Sequence, residues 1–352
     1  MTSKHHYPPA LILFLLAPLL AEYLLGNIPL GSTDALAAYL PVAMLYGAGA
    51  LIIRECAVRA GRGWPTIAVL AVAYGVIEEG AVTQSLFNPS YVDLNLNQYG
   101  TIPGTGTGAP WALYVLTLHC VWSITVPIAV VQALFPAAAG APWLPRPLLA
   151  ATAVPYLLGA ALLGVGTHLS EHFLATPGQL AATGAIAVVL VVLAFLLPRP
   201  RPAGATTPWS PAVLAGVALL CGTAFFLLYI VGVGGRRLAP PAYLTATLAL
   251  EVAVAAGLWL AATRTAWTAR HTFGVATGGV LTYAWAGVYV QRSQYDSTAA
   301  TGIVQAAVIA AALAILVVAA RRSRAGATPP PRLDPSDLTP GPTGAPLPAR
   351  DA

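Results

Sequence analysis

The chain has 352 residues, 57% of them hydrophobic and only 8% charged, against roughly a quarter charged in an ordinary soluble domain, so a soluble fold is excluded. The net charge of +5 comes from basic residues scattered at the ends of apolar runs, which excludes a basic nucleic-acid-binding face and reads as a set of topology signals. Cys56, Cys120 and Cys221 have no metal-ligand spacing and read as small apolar residues.

A helical span needs roughly 20 apolar residues, because no water in the bilayer core can bond an exposed backbone. Apolar runs bounded by polar, Pro and Gly residues predict ten such spans, at about 10–26, 35–53, 66–87, 111–135, 147–174, 178–198, 211–233, 243–262, 273–291 and 301–320. The fold class expected is therefore all-α, a polytopic membrane helix bundle. Pro8, Pro65, Pro110, Pro147, Pro177 and Pro211 stand at or just before span starts, where a missing N–H costs nothing. The first run has little positive charge before it and no small-residue cleavage site after it, so it counts as a span and not a removable signal.

With the N-terminus in the cytoplasm, Lys4, Arg54, Arg59, Arg62, Arg146, Arg199, Arg201, Arg264, Arg270 and the five arginines from Arg321 onward lie inside. Only Arg236, Arg237 and Arg292 lie outside. This asymmetry predicts both termini inside, in a multi-pass protein of the cell membrane. Residues 1–198 form a six-span half, 199–210 a Pro-rich cytoplasmic linker and 211–320 a four-span half. The tail 321–352 has almost nothing apolar to bury and is expected to be disordered.

Ionisable side chains inside spans cost about 2.5–3.5 kcal/mol each on insertion scales, so they must be paired, wet or useful. Glu22, Glu78, Glu79, Glu171 and Glu251 are the acids so placed, with His119, His168 and His172. Measured along the helix rise, Glu79, His119, His168 and Glu251 all fall roughly 9–12 Å below the expected outer boundary. Adjacent Glu78 and Glu79 point about 100° apart on a regular helix, so they are not expected to face one partner equally. One is then a working carboxylate and the other a supporting one.

His119 has Trp122 and Ser123 within a turn, giving its helix face donor and acceptor capacity. His168-Leu-Ser-Glu171-His172 puts two imidazoles four residues apart, as in an H-x-x-E-H zinc signature. Zinc there needs a third ligand such as Glu251, Glu78 or Glu79; a polar helix end and a metal-free part in a site are the other readings. The loop 88–110 is Gly- and Asn-rich without Lys or Arg, and is either a mobile lid over this level or a plain connector.

Paired glutamates in one span, a single histidine in the next and H-x-x-x-polar further on resemble the CAAX-protease and bacteriocin-processing (Abi) intramembrane endopeptidases, over about residues 64–175. Their motifs EExxxR, FxxxH and Hxxx[N/D] match here as Glu78-Glu79, His119 and His168 with His172. Thr83 stands in place of the motif arginine, Val115 in place of the phenylalanine, and His172 in place of Asn or Asp. The resemblance implies that a glutamate polarises water while His119 and His168 help to stabilise the oxyanion.

The leading expectation is thus a metal-independent intramembrane hydrolase without a cofactor, acting on a peptide or lipid-linked substrate, with membrane lipid as its surroundings and no nucleic-acid partner. Its catalytic candidates are Glu78, Glu79, His119 and His168. Ser123, Trp122, His172 and Glu251 are candidates for substrate contact. A proton-coupled transporter using the same carboxylates and a non-catalytic membrane scaffold are the alternatives.

Overall fold

A computed structural model describes residues 6–199, 204–295 and 298–325. Ten of its helices are long and apolar enough to cross a membrane. They are α1 (Tyr7–Leu24), α2 (Thr33–Arg59), α3 (Trp64–Val82), α4 (Ala109–Leu134) and α5 (Arg146–Glu171), then α6 (Pro177–Leu196), α7 (Pro211–Gly234), α8 (Pro240–Arg264), α9 (Ala269–Gln294) and α10 (Ala299–Ala325). The all-helical, ten-span expectation is met. Prolines occupy the first turns of α1, α3, α4, α5, α6, α7 and α8, and hydroxyl caps start α2, α6 and α7 from Ser32, Thr176 and Ser210.

The helices are not equivalent. More than half of α1, α2, α3, α4 and α9 is buried within the bundle, whereas α5, α6, α7, α8 and α10 present most of their surface outward. α9, from the later four-span segment, sits among the first four helices. Trp122 of α4 stacks on Tyr283 of α9 at 4.9 Å and donates its indole N–H to the Gly279 carbonyl at 2.8 Å. The Gln291 amide donates to the carbonyls of Gly26 and Ile28 beyond α1, at 2.8 and 2.6 Å. Hydropathy alone carries no information on which spans are neighbours.

The close approach of α9 to α1 depends on Gly287, where an added Cβ would stand 1.9 Å from the Leu24 carbonyl oxygen. Backbone cannot retreat from such a contact as a flexible side chain can. Gly287→Ala should therefore destabilise the chain by about 1–3 kcal/mol or more, lowering its unfolding temperature in detergent, while Gly216→Ala, with nothing within 4 Å, serves as the neutral control.

One further boundary differs from expectation. α10 runs on through Ala325, so Arg321, Arg322 and Arg324 are helical and not part of a disordered tail. Arginine is a good helix former and favourable near a helix C-terminus, and Arg322 donates to the Leu134 carbonyl at 3.3 Å with its guanidinium 5.4 Å from the Phe135 ring. The rest of the expected tail, 326–352, and positions 200–203 of the linker lie outside the described residues. In the described part of the linker, Thr206 donates its hydroxyl to the Arg264 carbonyl at 2.6 Å and accepts the Ala266 N–H at 2.8 Å.

A buried polar network closes the end of the bundle where α2 finishes. Arg54, fully buried, pairs with Glu55 and donates to the carbonyls of Ala138, Ala139 and Ala141, with its guanidinium 3.6 Å from the Trp143 ring centroid. Glu55 accepts from the backbone of Trp143 and Leu144 and from Arg59 at 3.1 Å. Both arginines are thereby committed to Glu55 and to the loop 136–145.

Candidate functional site

Where the site forms, the helices depart from regular geometry. α1, α2, α3 and α4 each contain a widened, π-helical turn, over Leu19–Leu24, Ala43–Gly47, Glu78–Val82 and His119–Thr125. These turns carry Glu22, Tyr46, Glu78 with Glu79, and His119 with Ser123. A π-turn inserts one residue into the helical ladder and re-aims the side chains around it, and such turns gather at functional sites.

The consequence is clearest at the paired glutamates. Glu79 Oε1 lies 2.7 Å from His119 Nε2, and Glu78 Oε2 lies 3.3 Å from His119 Nδ1. Both carboxylates face the same imidazole, against the expectation from a regular helix. The physical reason is twofold: the widened turn starts at Glu78, and an imidazole offers nitrogens on two sides of its ring. The approach of α3 to α4 is set by Gly75, where a Cβ would stand 2.9 Å from His119 Cβ.

Further groups complete the shell. Glu79 Oε2 accepts hydroxyl bonds from Thr83, at 3.0 Å, and from Ser85. The Trp111 indole donates to Ser85 Oγ at 3.1 Å, and Ser123 Oγ lies 3.2 Å from His119 Nδ1. The rings of Tyr46 and Tyr74 flank the imidazole at 6.0 and 5.9 Å between centroids, and the Tyr46 hydroxyl donates to Glu22 Oε1 at 2.6 Å. Glu78, Glu79, Ser85, His119 and Ser123 are all buried. Among the described residues no arginine or lysine pairs with Glu22, Glu78 or Glu79.

Burial of Glu79 owes more to a cap than to depth. α3 ends at Val82 rather than near Phe87, so Glu79 lies only about 5 Å below its helix end at 1.5 Å per residue. The following loop covers it. Buried Asn97 donates to the carbonyls of Ser85 and Asn88 at 2.7 and 2.8 Å and accepts the Gly108 N–H at 2.9 Å. Glu171 takes the Asn88 amide and the Val92 N–H at 3.0 and 3.1 Å. Of the two readings of this loop, neither is quite right: it is a hydrogen-bonded cover wired through Ser85 to Glu79. Tyr91 in the cover has its phenol pushed well above the ordinary range by burial and by the carboxylates of Glu79, Glu22, Glu171 and Glu78, so it remains a hydrogen-bond donor at physiological pH.

The other sequence candidates lie elsewhere. His168 is exposed at the end of α5 with Nδ1 2.9 Å from the Phe173 carbonyl oxygen, and it does not join Glu79 and His119. His172 is exposed in the left-handed region at φ 52°, and the neighbouring Glu171 is taken up by the cover. Glu251 accepts the Thr117 hydroxyl at 2.7 Å, between α8 and α4. Trp122 is a packing residue against α9. A shared depth did not make these side chains converge, because α5 and α8 lie at the periphery of the bundle.

Sequence reasoning passed over Tyr46, Tyr74, Ser85 and Trp111, and noted Glu22 only as an acid in a span. Tyr74 stands one turn before Glu78, and Ser85 follows Glu79 by six positions, so their nearness to the acid pair was the available signal. Tyr46 had none, since a tyrosine in an apolar run ordinarily reads as packing.

A family model described as an uncharacterized membrane protein family matches residues 11–328. No curated protein and no solved structure matches the chain.

Proposed function

We propose that this chain, which belongs to that uncharacterized membrane protein family, is an intramembrane hydrolase of the cell membrane related to the CAAX-protease and bacteriocin-processing endopeptidases. One observation carries the reading. The glutamate pair and the histidine, 40 residues apart on separate helices, meet with Glu79 Oε1 2.7 Å from His119 Nε2, the separation at which a carboxylate and an imidazole share a proton. Together they can take the proton of a water that attacks a carbonyl group. Glu78 on the other ring nitrogen and Ser123 beside it fix the orientation of the imidazole. With His168 outside the cluster, the role of oxyanion donor falls to other groups, of which the phenol of Tyr91 in the covering loop is one that stays protonated. The substrate class is a peptide or lipid-linked chain that reaches the buried carboxylates from within the bilayer.

The second reading, a proton-coupled transporter, is favoured by the Glu22–Tyr46 pair, which extends the proton-holding groups onto α1 and α2. One experiment separates the two. Peptide and lipid-linked fragments are compared in membranes holding the wild-type chain and in membranes holding a chain with both Glu79→Gln and His119→Gln. Fragments that appear only with the wild type support the hydrolase. Identical fragment profiles, with proton uptake into wild-type proteoliposomes that the double substitution abolishes, would replace it with the transporter.

A further inference from the structure

At the end of the bundle where α3 and α9 begin and α4 and α10 finish lies a cavity of about 310 Å³, within the roughly 300–1,000 Å³ of ordinary ligand sites. It is lined by Trp64 of α3, Gln132 of α4, Gly140 of the following loop, and Trp267, Thr268 and Thr272 around the start of α9. Both tryptophans are partly buried, while Gly140 and Thr268 are exposed, so the cavity opens at this end of the bundle. Its two indoles are differently committed. Trp267 donates its N–H to the Thr272 hydroxyl at 2.9 Å, whereas among the described residues the Trp64 N–H has no acceptor. Among the described residues no acid lines the wall.

α10 delivers a segment of the chain to this place. Its last turn is fastened beside the cavity, where Arg322 donates to the carbonyl of Leu134 at 3.3 Å, on the same turn of α4 as Gln132. Residues 326–352 follow and lie outside the described residues; in sequence they run from Gly-Ala-Thr into Pro329-Pro330-Pro331-Arg332-Leu333. Proline fixes φ and has no N–H, so a run of prolines is a stiff rod of carbonyl acceptors. The complement of such a rod is aromatic surface with N–H donors, the means by which aromatic-lined grooves recognise Pro-rich ligands. The cavity supplies two indoles and the uncommitted Trp64 N–H. Fully extended, the four residues from Ala325 to Pro329 span roughly 13–14 Å, enough to carry the prolines from the Arg322 contact to the cavity wall.

We propose that the cavity of Trp64 and Trp267 is the docking site of the chain's own Pro329–Leu333 segment. A tether this short holds the segment at an effective concentration in the millimolar range, so weak recognition of proline by indole is enough to fill the site. A docked segment ties the end of α10 to α3, α4 and α9. Two of these, α3 and α4, carry Glu79 and His119, but the inference does not rest on the hydrolase reading.

The test uses the full chain in membranes, with the photoreactive amino acid benzoylphenylalanine introduced at position 333. After irradiation, mass spectrometry should find it joined to Trp64, to residues 129–140 or to residues 267–272 of the same chain. A second chain carries in addition Pro329→Gly, Pro330→Gly and Pro331→Gly, which keep the tether length and remove the stiff rod. Its cross-link to the cavity should fall about fivefold or more, because the tether alone is left to hold the segment near. All these changes lie beyond α10, so none of them disturbs the membrane bundle. Cross-links that map elsewhere on the chain would overturn the proposal, as would products joined mainly to lipid or to a second copy, which would then be the occupant. A yield that the glycine substitutions leave within about twofold would overturn it too, since it would reflect tethered proximity without recognition.

Discussion

Replacing Arg54 with leucine should cost the folded chain about 3–5 kcal/mol, the range for removing one partner of a buried ion pair. Arg54 is completely buried and serves five partners: Glu55, the carbonyls of Ala138, Ala139 and Ala141, and the face of Trp143. Leucine fills part of the volume but removes the donor to the Ala141 carbonyl, leaves the Ala138 and Ala139 carbonyls to Trp143 and Gln132, and leaves Glu55 with Arg59 as its remaining cationic partner. The loop 136–145 loses its anchor to α2 at the same time. Arg54→Lys should recover part of the loss and no more, because one ammonium cannot reproduce a planar fork over an indole. Thermal unfolding in detergent reads both effects. An Arg54→Leu chain that unfolds within a degree or two of wild type would show that the network is not needed for stability.

This network and the candidate site illustrate what a sequence of this kind discloses. The ten helices were legible because each needs a long apolar run, and that requirement is local. Their ends were less so. The helix around Glu79 was expected to reach Phe87, since Leu86 and Phe87 continue the apolar pattern, but Thr83 and Ser85 turn their hydroxyls back onto Glu79 and Gln84 takes the left-handed region at φ 57°. Polar residues that bond backwards end a helix where hydropathy would continue it.

The pairing of Glu79 with His119 was likewise legible, because two rare and costly side chains on consecutive spans have a reason to meet. The third member was not. His168 lies on α5, whose rotation turns it outward, and depth along an axis says nothing about rotation around it. The joint contact of Glu78 and Glu79 with one imidazole was also hidden, because it depends on a π-turn, and the apolar pattern does not announce one. Glu22 was visible as an expensive acid, but Tyr46, the group that makes sense of it, looks in sequence like any other packing tyrosine.

Glu79→Gln should abolish hydrolysis, by about 10²–10⁴-fold or to the limit of detection if the pair supplies the general base, while leaving the folded chain nearly intact. The structure gives the reason for both halves. Glutamine keeps the length and one carbonyl oxygen, and the groups around the other branch are hydroxyls of Thr83 and Ser85, which can rotate and accept where they now donate. What glutamine cannot do is take a proton from water or share one with His119 Nε2. Glu22→Gln provides the contrast, since Glu22 meets the site only through the Tyr46 hydroxyl at 2.6 Å, and should slow hydrolysis far less. Equal losses from the two substitutions would point to a proton path through both acids, as a transporter requires. A Glu79→Gln chain with full hydrolytic activity and unchanged unfolding temperature would remove Glu79 from the chemistry and leave Glu78, the other carboxylate on that imidazole, as the candidate base.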